Sequence, residues 1–325
     1  MKPKVLVTSE LPGTALEKLQ KVADVHVHTD TVDLTKEQLI ELLRDKDALV
    51  SLLVNEIDQI VLDAAPNLKI IANYAVGFNN IDIEAATARN VLVTNTPDVL
   101  TEATADLAWA LLLGIARRIP ESDQFLRDGK FEGWKPNLLL GRSVYGKTLG
   151  IIGMGRIGEA VTERAKGFNM NVLYYNRRQL PPEKEQKLNA RYVNLEELLC
   201  SSDYISLHAP LTDDSYHLIG KRELDLMKPS SYIINTSRGP LINEAELTEA
   251  LKNNKIAGAG LDVYEREPAL EPMLTRLKNV VLAPHVGSAT IETRVEMANL
   301  AIENVIAVLQ GERPITPINP KVVKN

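Results

Sequence analysis

Short apolar runs rich in Val and Ile alternate along the chain with longer stretches whose apolar residues recur at helical spacing. A short run that is apolar throughout marks a strand buried on both faces. Its alternation with amphipathic helices is the pattern of a parallel sheet covered by helices. In the first hundred residues this pattern predicts strands at 5–8, 25–28, 48–54, 70–73 and 91–95, with helices between them. Thr35 and Gln38 have the spacing of a capping box for a helix that runs through Leu43. These elements alone predict a complete doubly wound unit.

A second series follows Pro97. Residues 101–118 predict a long helix whose middle is apolar on nearly every side, which points to burial against another subunit or between domains. Its core, Leu107 to Ala116, is the longest apolar run in the chain. At ten residues it is half of the about 20 that a membrane span needs, so no membrane partner is expected. Strands recur at 148–152, 171–175, 204–207, 232–235, 259–262 and 280–283, and a last helix covers about 291–309. No linker rich in Gly, Ser or Pro divides the two series, so the boundary is expected in ordinary turns near 95–101. Two units also fit the length, since 325 residues at ~150 per domain leave each unit able to bury its own core.

Composition narrows the function classes. The chain is 45% hydrophobic and 25% charged, as globular chains are. Lys and Arg number 37 against 43 Asp and Glu, a net charge of −6 with both signs scattered, so a nucleic-acid partner is not expected. The single cysteine, Cys200, excludes an intramolecular disulfide and any multi-cysteine metal site. The chain opens on a strand rather than a basic region followed by a long apolar stretch, so no secretory signal is read and a reducing cytoplasm is the expected compartment.

Gly153-Met154-Gly155-Arg156-Ile157-Gly158 follows the strand 148–152 and opens a helix. The first glycine permits a tight turn, the second lets backbone approach a pyrophosphate, and the third lets helix pack closely on strand. The helix N-terminus attracts the anion. A ligand-free turn can also carry such glycines, but the strand before and the helix after are what dinucleotide binding requires. The ribose-reading residue is expected about 20 positions on. Asn176 stands 23 residues after Gly153 and is followed by Arg177 and Arg178. A carboxylate there would accept from a ribose 2′-hydroxyl and repel a 2′-phosphate, whereas an amide with two guanidinium groups does the reverse. NADP(H) is therefore favoured, with NAD(H) the second choice; a solvated basic turn is the alternative reading of the arginines.

Ligands of open parallel sheets bind beyond the carboxyl ends of the strands. Three polar residues fall there: Arg238 in Asn235-Thr236-Ser237-Arg238-Gly239, Glu267 in Glu265-Arg266-Glu267-Pro268, and His285 in Ala283-Pro284-His285-Val286-Gly287. Together they suit reduction of a 2-keto acid. A guanidinium offers two parallel bonds to a carboxylate. A histidine protonates the carbonyl oxygen, and a carboxylate on its other ring nitrogen orients it and favours its charged form. Each has an alternative: a turn anchor for Arg238, a solvated loop charge for Glu267, a structural histidine at His285. Of the other histidines, His26 and His28 share one face of a strand and are expected in solvent rather than on a metal. His217 has no partner legible in sequence, and His208, at the end of the strand 204–207, is expected to line the cofactor site.

The glycine loop, Thr236-Ser237-Arg238-Gly239, Leu261-Asp262-Val263-Tyr264 with Glu267-Pro268, and Pro284-His285-Val286-Gly287-Ser288 together resemble the D-isomer-specific 2-hydroxyacid dehydrogenases. Spacing agrees: Glu267 lies 29 residues after Arg238, and His285 a further 18. The resemblance spans essentially the whole chain. It implies a catalytic Arg238, Glu267 and His285, with Asp262 holding the nicotinamide carboxamide. His208, Pro210, Thr236, Ser237, Gly287 and Ser288 would join the glycine loop around the cofactor. Val76-Gly77-Phe78-Asn79-Asn80-Ile81-Asp82 is similar to the family's substrate loop, whose backbone amides face the substrate carboxylate, and Leu52 and Leu53 fall in the loop that tunes substrate size. The implied architecture is α/β, with a flavodoxin-like substrate domain (1–98 and 288–325) and a Rossmann cofactor domain (99–287).

Within the family the likeness runs to glyoxylate/hydroxypyruvate reductases. Trp134-Lys135-Pro136 resembles their segment that reaches the neighbouring subunit's active site, which implies a homodimer. A D-lactate or phosphoglycerate dehydrogenase is the second enzyme reading, although residues 51–56 offer no cation for a phosphorylated substrate. A non-catalytic, cofactor-sensing co-repressor on the same fold is the reading from another class. It would not require Arg238, Glu267 and His285 to be intact together.

Overall fold

In the computed structural model, which describes residues 2–322, the first unit is built on five parallel strands: β1 (Lys4–Val7), β2 (Asp24–Val27), β3 (Ala48–Ser51), β4 (Ile70–Asn73) and β5 (Leu92–Thr94). Their order is β2-β1-β3-β4-β5, the flavodoxin-like arrangement of a doubly wound sheet. β3 and β4 are buried at every residue, which explains their unbroken apolar sequence. The expected strand 48–54 stops at Ser51 because the Asn55 carboxamide accepts the Leu52 N–H at 2.8 Å and turns the chain. The helix Lys36–Leu43 begins with the capping box expected of Thr35 and Gln38.

The first hundred residues do not complete this unit, contrary to the periodicity reading. The compact unit comprises Met1–Leu100 together with Ser288–Asn325. The helix Ile291–Leu309 packs on β3, β4 and the helix Ala15–Val22. Beyond it, the Ile318 N–H bonds the Val93 carbonyl at 2.8 Å and Asn319 accepts the Val93 N–H, so the returning chain covers the open edge of β5. Buried Asn304 ties helix to return segment: its Oδ1 accepts the N–H groups of Ile315 and Thr316 at 2.8 and 3.0 Å.

The second unit, Thr101–Gly287, holds seven parallel strands: β6 (Thr148–Ile152), β7 (Asn171–Tyr175), β8 (Ala190–Tyr192), β9 (Tyr204–Leu207), β10 (Tyr232–Asn235), β11 (Gly258–Leu261) and β12 (Val280–Leu282). Their order is β12-β11-β10-β9-β6-β7-β8. β8 escaped the sequence reading because it has only three residues, lies at the sheet edge and centres on exposed Arg191.

The apolar helix Thr101–Ala116 is buried inside this unit, where it packs on β10, β11, β12 and the helix Arg156–Ala165. Trp109 stacks on Phe168 with ring centroids 4.7 Å apart, and its Nε1–H donates to the Val161 carbonyl at 3.0 Å. A second subunit is therefore not needed to explain its composition. Exposed apolar side chains occur instead in the segment that follows: Ile119, Leu126, Phe131, Trp134, Leu140 and Tyr145. Among the described residues, no helix is long and apolar enough to cross a membrane.

Candidate active site

Strand order reverses direction between β6 and β9, and a doubly wound sheet binds its ligand beyond the carboxyl ends of such a pair. Gly153 leaves β6 with φ +97°, and a Cβ there would lie 2.5 Å from the Ala209 nitrogen, on the chain leaving β9. At Gly158 an added Cβ would stand 2.3 Å from the Gly153 carbonyl oxygen. Both positions are closed to any side chain by protein. Gly155 differs: a Cβ there would meet nothing within 4 Å. It is the exposed N-cap of the helix Arg156–Ala165, with Arg156 exposed and Ile157 half-buried behind it. Space beside free N–H groups at a helix N-terminus fits a pyrophosphate.

Asn176 follows β7, and its Oδ1 accepts the Met154 N–H at 2.8 Å, which braces the glycine loop. An N–H can only donate, so this bond fixes the carboxamide orientation and leaves the NH₂ group as the part available to a ligand. Arg177 and Arg178 are exposed beside it. After β9, the His208 ring bonds the Ser206 hydroxyl at 2.8 Å, and burial pushes its pKa down to about 3, so it is neutral at physiological pH. The Pro210 carbonyl accepts the Ser215 hydroxyl and the Ala209 carbonyl accepts that of Ser237, which pins the β9 and β10 loops. Thr236 Oγ1 is buried with no protein partner at the carboxyl end of β10. Buried hydroxyls are normally bonded, so Thr236 Oγ1 is left able to take a partner from a ligand, as are the buried Thr94, Thr96 and Ser202 hydroxyls from other sources.

The structure brings Arg238, Glu267 and His285 to the same rim. Asn235 holds the Arg238 turn by donating to the Arg238 carbonyl at 2.9 Å and accepting the Ser237 N–H at 3.0 Å. Burial pulls the Arg238 guanidinium down from its ordinary pKa while Glu267 opposes the shift; an arginine remains charged throughout. His285 Nδ1 meets Glu267 Oε2 at 2.7 Å, and the other Glu267 oxygen accepts the Tyr264 N–H at 3.0 Å. Burial pushes the Glu267 carboxyl up, but its bond and charge pairing with His285, the Tyr264 N–H and Arg238 outweigh that and hold it below the usual glutamate value. With side chains 32% and 34% exposed, His285 and Glu267 remain reachable by a small molecule.

His285 sits at φ +55°, a left-handed conformation rare for a residue with a Cβ. Asp262, at the end of β11, holds it there. The Asp262 carbonyl accepts the His285 N–H at 2.8 Å, and its two carboxylate oxygens accept the N–H groups of Val286 and Gly287 at 2.7 and 2.8 Å. Burial raises the Asp262 carboxyl pKa against the opposing effect of those amides and of His285. The structure thus gives Asp262 a bracing task that the motif alone did not reveal.

In the first unit, Leu53 lies in the loop after β3, while Val76 and Gly77 lie in the loop after β4. Asn80 joins these loops by donating to the carbonyls of Leu52 and Asn55 at 3.1 and 3.0 Å. Asn73 and Asn95 hold the carbonyls of Gly77 and Val76, each at 2.8 Å. Asn73 and Asn95 are marked in the sequence only by their places at strand ends, whereas Asn80 falls in the segment that resembles the substrate loop. Ser288 opens the return to the first unit, and Trp134 is 84% exposed in the segment that precedes β6. His217 does have a partner, Glu265 Oε1 at 3.1 Å, and stacks on Tyr216. His26 is exposed and His28 bonds the Val32 carbonyl; among the described residues no cluster could hold a metal.

A parallel sheet with a glycine-loop helix at its switch point, and a histidine–carboxylate pair beside a half-buried arginine, defines a dinucleotide-binding oxidoreductase site. Residues 109–287 match the family of the D-isomer specific 2-hydroxyacid dehydrogenase, NAD binding domain, and the chain belongs to that family. It is 51% identical to a glyoxylate reductase of Thermococcus litoralis over 99% of this chain and 98% of that one. A solved protein of Thermus thermophilus matches with TM-score 0.92 and 45% identity, covering 97% and 99% of the two chains. An NADPH-dependent glyoxylate/hydroxypyruvate reductase of Sinorhizobium meliloti, solved with NADP and malonate, matches with TM-score 0.87 and 33% identity over 100% and 99%.

The contrast between two glycines gives a test. Gly155→Ala leaves the melting temperature within about 2 °C of wild type but weakens nicotinamide dinucleotide binding by roughly tenfold or more, since its methyl fills ligand space rather than protein space. Gly158→Ala costs about 1–3 kcal/mol of stability through overpacking. Equal loss of stability in both variants, read by thermal unfolding with a fluorescence titration, would contradict the assignment of Gly155 to the ligand.

Proposed function

We propose that the chain catalyses NAD(P)H-dependent reduction of glyoxylate, and of hydroxypyruvate, to the corresponding 2-hydroxy acids. The 2.7 Å pairing of His285 with Glu267 beside half-buried Arg238 carries this reading, supported by the likeness to relatives named for the same reduction. Arg238 binds the substrate carboxylate through its guanidinium, an interaction strengthened by burial. Glu267 holds Nδ1 of His285, so Nε2 is the nitrogen that delivers a proton to the keto oxygen. When bound, the reduced nicotinamide supplies hydride to the adjacent carbon.

In this reading, which the family resemblance suggests, the Val76–Gly77 backbone offers N–H groups to the substrate carboxylate, and Asn95 and Asn73 steady that loop by holding its carbonyls. Leu53 limits substrate size. Asp262 braces the His285 turn and accepts the nicotinamide carboxamide through its remaining lone pairs.

NADP(H) is the preferred cofactor in this reading. Asn176 spends its acceptor on Met154 and has donors left, which suit a phosphate rather than a ribose hydroxyl pair, and Arg177 and Arg178 add charge. The solved Sinorhizobium meliloti reductase carries NADP. A cytoplasmic homodimer completes the proposal: the exposed apolar side chains between Ile119 and Tyr145, Trp134 foremost, are what a second subunit would cover.

Turnover with NADPH and glyoxylate is the direct test; its absence would overturn the reading. His285→Ala is expected to lower kcat by ~10²–10⁴-fold with cofactor binding intact. Reduction needs protonated histidine, so its rate falls as pH rises, and the Glu267 charge favours the protonated form. Glu267→Gln is therefore expected to move that fall toward acid, and an unmoved profile would sever the pair. Replacing Arg177 and Arg178 with Ala raises KM for NADPH by about tenfold or more and leaves KM for NADH nearly unchanged; equal losses would show that they do not read a 2′-phosphate. Light scattering at micromolar concentration should give twice the 35.9 kDa chain mass, and a fully active monomer would remove the homodimer.

A further inference from the structure

Glu244 opens the helix Glu244–Lys252, a place where a glutamate normally reaches into water. Here it is only 9% exposed. Its Oε2 accepts the Glu265 N–H at 2.7 Å and its Oε1 accepts the Glu271 N–H at 2.5 Å. These two amides flank the turn that carries Glu267, and backbone pairing of Arg266 with Ala269 closes the turn between them. Just before the turn, the Tyr264 N–H grips the Glu267 carboxylate. Glu265 returns the contact, its Oε2 accepting the Glu244 N–H at 3.1 Å while its Oε1 faces His217.

We propose that Glu244 is a positioning residue for the reduction: a two-point clamp on the 265–271 turn that sets the Glu267 carboxylate against Nδ1 of His285. The proposal rests on the reading of His285 as proton donor. Its physical basis is the match between an acceptor-only carboxylate and two backbone donors at opposite ends of one turn. No neutral side chain of the same length reproduces it, since a glutamine would aim an NH₂ group at one of the amides. Among the groups in contact with the clamp, Glu265 is a like charge and His217 is the group that offsets it. Released at either end, the turn lets the Glu267 carboxylate drift, and misplacements of about 1 Å at such a contact cost up to 10²-fold in rate.

The test is Glu244→Gln in the full chain, with Glu244→Asp read the same way should the first variant fail to fold. With NADPH and glyoxylate, kcat is expected to fall about tenfold, and the alkaline decline of the rate to move toward acid, while the dissociation constant for NADPH stays within about twofold. In a Glu267→Gln background the same substitution changes neither kcat nor the pH midpoint by more than about twofold, because the clamp has nothing left to position. Equal losses in both backgrounds, or a pH midpoint unchanged from wild type, would overturn the clamp. Wild-type turnover tests the reduction itself. Nuclear magnetic resonance titration of the His285 ring tests the clamp without turnover: its midpoint moves to lower pH in Glu244→Gln and stays put when Glu267→Gln is the parent.

Discussion

The 2.7 Å bond between His285 and Glu267 joins two loops that leave neighbouring positions on one sheet edge, and much of the nearby polar structure exists to keep them in register. Neither loop would hold this geometry alone. His285 occupies a left-handed backbone conformation that Asp262 stabilises with one carbonyl and two carboxylate oxygens. Glu267 sits on a turn whose two flanks end on the carboxylate of Glu244. Each partner of the bond is thus oriented by a buried acid that accepts only backbone N–H groups, an arrangement that satisfies donors at places where neither helix nor sheet can.

The first unit solves a similar problem with neutral groups. Its loops after β3 and β4 are joined by Asn73 and Asn80, whose carboxamides both donate and accept, and Ser51 donates to the Asn73 oxygen at 3.0 Å. A carboxamide can bridge two loops without importing charge, whereas a carboxylate is suited to gathering several amides at once. Charge in this unit is left to its surface, and the loop proposed to meet an anionic substrate is free of a buried carboxylate that would repel it.

The fold was legible wherever local pattern and burial coincide. Strands buried at every residue announced themselves, and Thr35 with Gln38 announced a helix start. β8 did not, because an exposed arginine at a sheet edge makes no apolar run. The extent of the first unit was equally hidden from periodicity: that the helix Ile291–Leu309 covers β3 and β4 is a long-range fact, which only resemblance to a family supplied. At the site, Arg238, Glu267 and His285 could be picked out because parallel sheets gather ligands at one edge. Glu244 and Asn73 could not. Each looks like an ordinary cap or strand-end residue until tertiary structure shows which distant amide it serves, and the pairing of His217 with Glu265 was concealed in the same way.

The division of the first unit into two stretches of sequence also orders events during synthesis. The second unit is continuous, so all of its strands have been synthesised once residue 287 has been made. The first unit has by then displayed β1 to β5 for almost two hundred residues of translation, with one apolar face and the outer edge of β5 still uncovered. An open strand edge beside uncovered apolar surface is the form most prone to pair with a neighbouring nascent chain. The residues from 288 onward, made only after the whole second unit, are therefore those that end the exposure, which makes this returning segment, remote in sequence from the sheet it seals, the part on which safe folding of the amino-terminal unit waits.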